Sequence, residues 1–311
     1  MISPVRAELK DWQVSGNLEV EAAYSSSEAD GDSSDLVVPT VEIGLSSSLS
    51  SQLSISLTLL AEDTGDGGGD VNVDEAVIVF NAAPSMITLG QTTLPFGRYE
   101  MGTISDPLTL LLGETTASTL IYSFEQETGF AVSAYLFNGD SEESSTDSLS
   151  DIGFSLSLTR ESWSIGMDVI GNLGNSDSLV EIGNNVNKTI PGLALHLAYS
   201  VDSLSFFIEH VTALDDFTAG DLGGVVTSSM KPRATHVEVG LELENERSIS
   251  LSLSGTRQAE GLLDPDYETQ AALGYNMPLI KDAQLSIEWL EAKQYGGSRD
   301  TILSALLSVD F

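Results

Sequence analysis

Apolar residues recur at every second position through most of this 311-residue chain. In the segment QLSISLTLLAE, which begins at Gln52, Leu53, Ile55 and Leu57 alternate with serine and threonine. Successive side chains of a β-strand point to opposite faces, so each such segment has one apolar face and one polar face. The chain is therefore predicted to be all-β. Its apolar face needs either a second sheet or the acyl chains of a bilayer to cover it.

Turn residues divide this pattern into about sixteen segments of roughly ten residues, the length that a tilted strand needs to cross a bilayer. The connections are alternately short, such as AAPS, TRES and ENER, and long, such as EDTGDGGGDVNVDE and NGDSEESSTDS. An even strand number with short turns on one side and long loops on the other is typical of a transmembrane antiparallel up-and-down β-barrel. Trp12, Trp163 and the terminal Phe311 all fall on the short-turn side, where an aromatic girdle is expected.

The composition excludes several other classes of protein. The chain has 47 acidic and 12 basic residues, a formal net charge of −35, and a mean hydropathy of +0.06. Nucleic acid is therefore not an expected partner. No run approaches the roughly 18 apolar residues of a spanning helix, so a membrane form has to be a barrel. A soluble, acidic, secreted all-β protein from a saline habitat remains the alternative.

The N-terminus carries no secretion signal that can be recognised. MISPVRAELKDWQ lacks a basic n-region and an apolar h-region, so we expect a mature exported chain whose signal peptide has been removed, behind an added Met1. The expected organisation is an N-terminal periplasmic segment over residues 1–11 and one transmembrane barrel domain over residues 12–311. The expected location is the outer membrane of a Gram-negative bacterium.

Acidic residues dominate the polar face of the predicted strands. Unpaired carboxylates are too costly for a filled core but stay solvated in a water-filled channel. A channel of this kind should prefer cations over anions, less so at high salt. The predicted pore-lining residues are Glu19, Glu21, Glu42, Asp168, Glu238, Glu242 and Glu288.

The third long connection differs in composition from the others. It reads TLPFGRYEMGTISDPLTLLLGETT from Thr93, and it predicts a short helix with Ser105 or Asp106 as the N-cap, Pro107 at the first position and Gly113 just past the end. Its leucines should avoid water, so residues 94–116 are expected to fold into the barrel and narrow it. Packing over the rim, or into a neighbouring subunit, is the alternative. The candidate constriction residues are Arg98, Glu100, Asp106 and Glu114.

The second long loop offers a weak calcium-like site. It lacks the glycine and the bidentate acid that a full calcium loop has at its sixth and twelfth positions, so a solvated acidic loop without metal is the alternative, and no other cofactor is expected. The candidate ligands are Asp63, Asp66, Asp70, Asn72 and Asp74.

Catalytic motifs are not found in the sequence. His196, His210 and His236 lie in separate predicted hairpins and are expected to be wall residues rather than zinc ligands. The chain has no GxSxG motif, no phosphate-binding loop between a strand and a helix, and no cysteine. The protein is therefore not expected to be an enzyme.

The segment PFGRYEMGTISDPLTLLLGET, followed by a strand pair that ends in YLFNGD, resembles the signature of the LbtU-type siderophore porins. The likeness covers roughly residues 88–140. It implies an outer-membrane β-barrel porin that passes small solutes, with ferric siderophores among them. Such a porin has outer-membrane lipid and lipopolysaccharide as its surroundings, and it can be a homotrimer. A barrel that does not conduct, and serves as a scaffold or adhesin, is the second functional alternative.

Overall fold

The computed structural model describes residues 12–62, 69–141, 151–183 and 185–311. In these residues, one antiparallel sheet closes on itself where β1 pairs with the last strand. The strand segments are β1 (Gln13–Ser27), β2 (Gly31–Val37), β3 (Thr40–Ser48), β4 (Leu53–Glu62), β5 (Asn72–Ala82), β6 (Ser85–Thr93), β7 (Thr116–Glu125), β8 (Phe130–Asn138), β9 (Asp151–Arg160), β10 (Trp163–Ile170), β11 (Gly192–Val201), β12 (Leu204–Ala213), β13 (Arg233–Glu242), β14 (Ser248–Arg257), β15 (Tyr267–Ile280), β16 (Ala283–Gln294) and β17 (Arg299–Asp310).

The segments β2 and β3 are two halves of one barrel strand. Both pair with β1, β2 opposite its C-terminal half and β3 opposite its N-terminal half, and the break between them contains Pro39. Proline cannot donate a ladder hydrogen bond, which accounts for a break at this position. The described chain therefore forms a closed barrel of sixteen antiparallel strands, and the predicted fold class is confirmed.

Two segments that the apolar alternation assigns to connections belong to strands. Residues 26–36 lie between predicted strands over 12–25 and 37–48, but GDSSDLV, which begins at Gly31, is strand β2, and the hairpin turns over residues 28–30. This segment is mostly polar, so it does not show the alternation that is typical of the other strands. At the short-turn end, NMPLIKD is predicted as a turn, but β15 continues through NMPLI to Ile280, so the turn is only Lys281 and Asp282.

The two faces of the barrel wall have opposite chemistry. Register places Phe206, Val239, Leu251, Leu273, Trp289 and Leu303 side by side on the outer face, and their side chains are exposed or half-exposed. An exposed apolar surface that extends over several strands indicates contact with lipid or another protein. The two-sheet sandwich that would have covered this face is not formed by the described residues.

Aromatic side chains lie at the short-turn end of the outer face. Trp163, at the start of β10, is paired with Tyr199 of β11, and the Tyr199 ring lies 6.5 Å from the ring of Phe206. Trp12 and Phe311 are exposed near the same end. This arrangement agrees with an interfacial girdle. In the part of the chain that is described, no helix has both the length and the hydropathy required to span a bilayer.

The long-loop end contains an apolar core inside the barrel. Three connections contribute to it: L3 (residues 94–115), L5 (residues 171–191) and L6 (residues 214–232). L3 contains helix α1 (Leu108–Gly113) and L5 contains helix α2 (Asp177–Ile182). The core includes Phe96, Leu108, Leu112, Leu173, Leu179, Ile190, Phe217 and Leu222 from the loops, with Tyr135, Phe137, Ile170 and Val211 from the wall. The three loops thus pack together inside the barrel at its long-loop end.

Candidate lumen site

L3 folds into the barrel as predicted, and helix α1 is the part that packs against the wall. Leu108 and Leu112 are fully buried, and α1 contacts strands β12, β13 and β14. The predicted ends of the helix were wrong by one or two residues. Pro107 is the N-cap rather than the first helical residue, and Gly113 is the last helical residue rather than the one beyond it.

Carboxylates of the barrel wall accept hydrogen bonds from the backbone of L3. The Gly97 amide donates to Asp168 on β10 over 3.0 Å, and the Arg98 amide donates to Glu209 on β12 over 2.7 Å. Asp168 and Glu209 are almost completely buried. Each carboxylate thus satisfies an amide that the loop could not pair internally, and hydrogen bonds to charged groups are stronger than neutral ones.

Two further carboxylates hold the middle of the loop. The Gly102 amide donates to Glu238 on β13 over 3.0 Å. Glu288 on β16 accepts from the amides of Ile104, over 2.7 Å, and Ser105, over 3.0 Å, and also from the Ser105 hydroxyl. Glu288 is 1% exposed. It thus accepts three hydrogen bonds from two consecutive residues of L3.

Side-chain amides of β15 complete the attachment. Gln270 donates to the carbonyl of Asp106 over 2.6 Å, and Asn276 donates to the carbonyl of Gly102 over 2.8 Å. Together with the carboxylates, these contacts attach L3 to the half of the wall formed by β10, β12, β13, β15 and β16. None of these contacts involves β17, β1 or β3 to β6.

The predicted pore-lining residues divide into two groups. All seven lie on the inward face, opposite to the exposed apolar residues. Asp168, Glu238 and Glu288 are attachment points for L3, which the sequence analysis did not predict. The other four, Glu19, Glu21, Glu42 and Glu242, are half-exposed or exposed and form no ion pair with another described residue.

The sequence analysis did not include Glu209 among the pore-lining residues. Glu209 lies on the same strand face as Phe207 and Val211, opposite to the outward Phe206 and Ile208. Strict alternation along FFIEHV therefore predicts that it faces the lumen.

Of the four candidate constriction residues, two form an ion pair on the lumen side of L3. Arg98 is bonded to Glu100, and both side chains remain about 40% exposed; the Arg98 guanidinium also donates to Ser164 over 2.9 Å. Asp106 is exposed at the N-terminus of α1. Their contribution to a constriction remains a prediction.

Glu114, the fourth candidate, lies instead beside Asp177 of L5. The Asp177 amide donates to the Glu114 carbonyl over 2.9 Å, and the Asp177 carboxylate accepts from the Thr116 amide over 3.0 Å. Burial, followed by repulsion from Asp177, raises the pKa of Glu114 to about 7. Burial also raises the pKa of Asp177 to about 6, against the hydrogen bonds from Thr116.

These shifts predict that L3 and L5 pack less stably as the pH rises. A carboxyl whose pKa is raised by folding binds more protons when folded, so the packed state loses free energy between about pH 4.5 and pH 7. The protection factor of an amide compares its exchange rate with the intrinsic rate at the same pH, and for the L3 amides it should be higher at pH 5 than at pH 8. E114Q should remove most of this difference in protection, whereas E242Q, far from L5, should retain it. Equal protection factors at both pH values in the wild type would contradict the prediction.

The calcium-like residues fall partly outside the described chain. Asp63 and Asp66 lie outside the described residues, Asp70 is exposed, and Asn72 and Asp74 belong to strand β5. Among the residues that are described, no group of three or more acidic or histidine side chains could hold a metal ion. Calcium binding by this loop remains a prediction.

The three histidines are wall residues. His196 is buried with its Nδ1 atom 3.7 Å from Asp168, and the Nδ1 atom of buried His236 lies 2.8 Å from the Ser254 hydroxyl. His210 faces outward, 2.8 Å from the Thr235 hydroxyl.

No family model matches the chain. The chain is 26% identical over 227 residues to a UPF0422 protein of Coxiella burnetii, covering 68% of this chain and 48% of that protein. It is 23% identical over 238 residues to the UPF0422 protein lpl2888 of Legionella pneumophila, covering 69% and 44%. The chain thus spans about half the length of the curated relatives it matches.

Solved outer-membrane proteins share the fold over almost the full chain. The outer membrane channel DcaP of Acinetobacter baumannii has a TM-score of 0.70 and 17% identity and covers 97% of both chains. The anion-selective porin of Comamonas acidovorans has a TM-score of 0.68 and 15% identity, with 97% and 99% covered. The trimer form of OmpT of Vibrio cholerae has a TM-score of 0.61 and 10% identity, with 96% and 99% covered. The fold is that of a porin barrel.

Proposed function

We propose that this protein is an outer-membrane porin that forms a water-filled channel for the passive diffusion of small solutes. The observation that carries the proposal is the position of L3, which is hydrogen-bonded across the inside of a closed barrel by four wall carboxylates. An apolar outer face suits the bilayer, and a polar lumen narrowed by a fixed loop suits selective diffusion. The porin barrels of similar fold support this reading.

The channel is proposed to prefer cations. Glu19, Glu21 and Glu42 line the half of the wall that L3 leaves uncovered. Carboxylates on the wall of a narrow aqueous passage raise the local concentration of cations and repel anions. The Comamonas barrel shares the fold and is anion-selective, so the preference of such a barrel depends on the residues that line it.

Uptake of ferric siderophores is the proposed specialisation. It rests on the likeness to LbtU-type siderophore porins over residues 88–140, a segment that includes the whole of L3. Because ferric complexes of carboxylate siderophores are anions, the acidic wall favours neutral or cationic iron chelates over anionic ones. The expected result is that neutral ferric chelates interrupt the ionic current more often than anionic ones of similar size.

Conductance in a planar bilayer tests the channel directly. The purified protein should insert in discrete current steps, and each step should stay open at low voltage. A protein that inserts into vesicles but never conducts would contradict the porin proposal and favour the scaffold or adhesin alternative. A protein that stays monodisperse without detergent would contradict membrane insertion itself.

A homotrimer is the proposed assembly, supported by the trimer form of the OmpT barrel of similar fold. The mass of the protein in detergent, measured by light scattering, should equal three chains of 33.0 kDa once bound detergent is subtracted. A mass of one chain would overturn this part of the proposal.

A further inference from the structure

The outer surface of the barrel carries a concentration of basic residues in a very acidic protein. The chain has only 12 lysines and arginines in total. Four of them lie near the long-loop ends of β13, β14, β16 and β17, and all four face outward: Arg233, Arg257, Lys293 and Arg299.

These four cations are arranged as two directly opposed pairs. Arg233 is the register partner of Arg257, and Lys293 is the register partner of Arg299. Like charges directly opposite each other on neighbouring strands destabilise a sheet. Lys293 is neutralised by Glu268, at a bulge of β15, but Arg233, Arg257 and Arg299 form no ion pair with another described residue. With 47 acidic residues available, this lack of pairing points to an external anion.

Small side chains leave two grooves beside these cations on the outer wall. The first, of about 800 Å³, lies over Thr235 and Gly255 between Arg233 and Arg257, and Glu268, the ion-pair partner of Lys293, also lines it. The second, of about 770 Å³, lies over Ala271 and contains Lys293 and Arg299, together with the acids Glu28, Glu291 and Asp300. The two grooves share Thr269.

The grooves run directly onto the apolar band of the barrel. Leu253, one residue pair below Gly255 on the same strand face, lines the second groove, and Leu251, Leu273 and Trp289 follow below it. A ligand that fits both parts has an anionic head and aliphatic chains. Phosphate is the anionic group that arginine binds best, through two parallel hydrogen bonds.

We propose that this basic outer groove binds a phosphate-bearing lipid, with its phosphate between the opposed arginines and its acyl chains on the apolar band below. The site lies outside the channel, and it rests on the proposed function only in that the barrel must span a membrane. Bound lipid would neutralise the repulsion between the opposed cations and would fix the depth of the barrel in the leaflet at the long-loop end.

Native mass spectrometry in a phosphate-free detergent tests the site on the whole protein. The probes are dioleoyl phosphatidic acid and dioleoylglycerol, which have identical acyl chains and differ in the phosphate group. The wild type should retain phosphatidic acid and lose dioleoylglycerol. Equal retention of both lipids would overturn the proposal without any variant having to fold.

The variant R233Q/R257Q should bind phosphatidic acid about 30-fold more weakly, since each cation near a lipid surface contributes about 1 kcal/mol. The matched control is R247Q/K281Q, which removes the same charge from the short-turn end and should bind like the wild type. Equal loss in both variants, or loss in neither, would contradict the site. Displacement of the lipid by an excess of inorganic phosphate would show a free-anion site and overturn the lipid assignment.

The failure of this site and the failure of the channel proposal can be separated. The same preparations are measured for conductance in a bilayer. R233Q/R257Q should conduct like the wild type while it loses phosphatidic acid, because the arginines lie on the outside of the wall. A wild type that binds phosphatidic acid but does not conduct would overturn the channel and leave the lipid site intact.

Discussion

E288A is expected to raise the single-channel conductance severalfold and to make the current noisy. Glu288 accepts hydrogen bonds from two amides and one hydroxyl of L3, and it is buried between the loop and β16. Each hydrogen bond to a charged group contributes about 1.5–3 kcal/mol. Loss of only about 3 kcal/mol would raise the population of the detached loop more than about 100-fold, because 1.4 kcal/mol corresponds to a factor of ten. The wider bore should be measured in a planar bilayer as larger single-channel conductance steps than those of the wild type.

A control variant and a labelling experiment distinguish detachment of L3 from the mere loss of a lumen charge. E242A removes a lumen carboxylate that makes no hydrogen bond to the described residues of L3, so its conductance should stay near that of the wild type. The chain has no cysteine, so I104C gives a single label site on the loop and keeps the backbone amide that Glu288 accepts from. A polar thiol reagent should modify I104C faster when E288A is also present. Unchanged conductance together with unchanged labelling would show that Glu288 does not hold the loop.

The fold could be predicted from the sequence because the alternation of apolar and polar residues within a single strand shows which residues lie on each of its two faces. Leu53, Ile55 and Leu57 show which side of β4 is the apolar outer face without any knowledge of the neighbouring strands. The same local rule placed Glu288 inside the barrel. It could not show that Glu288 bonds to Ile104, because that contact joins residues 184 positions apart and depends on the closure of the whole sheet.

The parts that could not be predicted are those whose structure depends on contacts distant in sequence. Strand β2 has few apolar residues and is specified mainly by its pairing with β1. L5 and L6 carry apolar residues such as Leu179 and Phe217. Their burial depends on contacts with L3 inside the barrel and could not be predicted from each loop alone. The attachment of L3 changes the meaning of the lumen acids. Those that bond to the loop hold it in place, and those on β1 and β3 are the ones proposed to act on permeating ions.

E19Q/E21Q/E42Q is expected to abolish most of the cation preference and leave the conductance at high salt unchanged. These three carboxylates lie on β1 and β3, face the uncovered side of the lumen and remain accessible to water. In the wild type, the reversal potential across a tenfold salt gradient should have the sign of a cation-preferring channel, below the limit of about 59 mV for perfect selectivity. In the triple variant it should fall toward zero.

Charge position, rather than net charge, should determine this effect. The control D32N/E28Q/E291Q removes the same charge from the outer face and the rim, where Asp32 and Glu291 point away from the lumen. Its reversal potential should match the wild type. Because the Debye length shortens from about 10 Å at 0.1 M salt to about 3 Å at 1 M, the difference between wild type and triple variant should shrink as both solutions are made more concentrated. Anion preference in the wild type at low salt, or equal shifts in both triple variants, would show that the uncovered wall does not select the permeating ion.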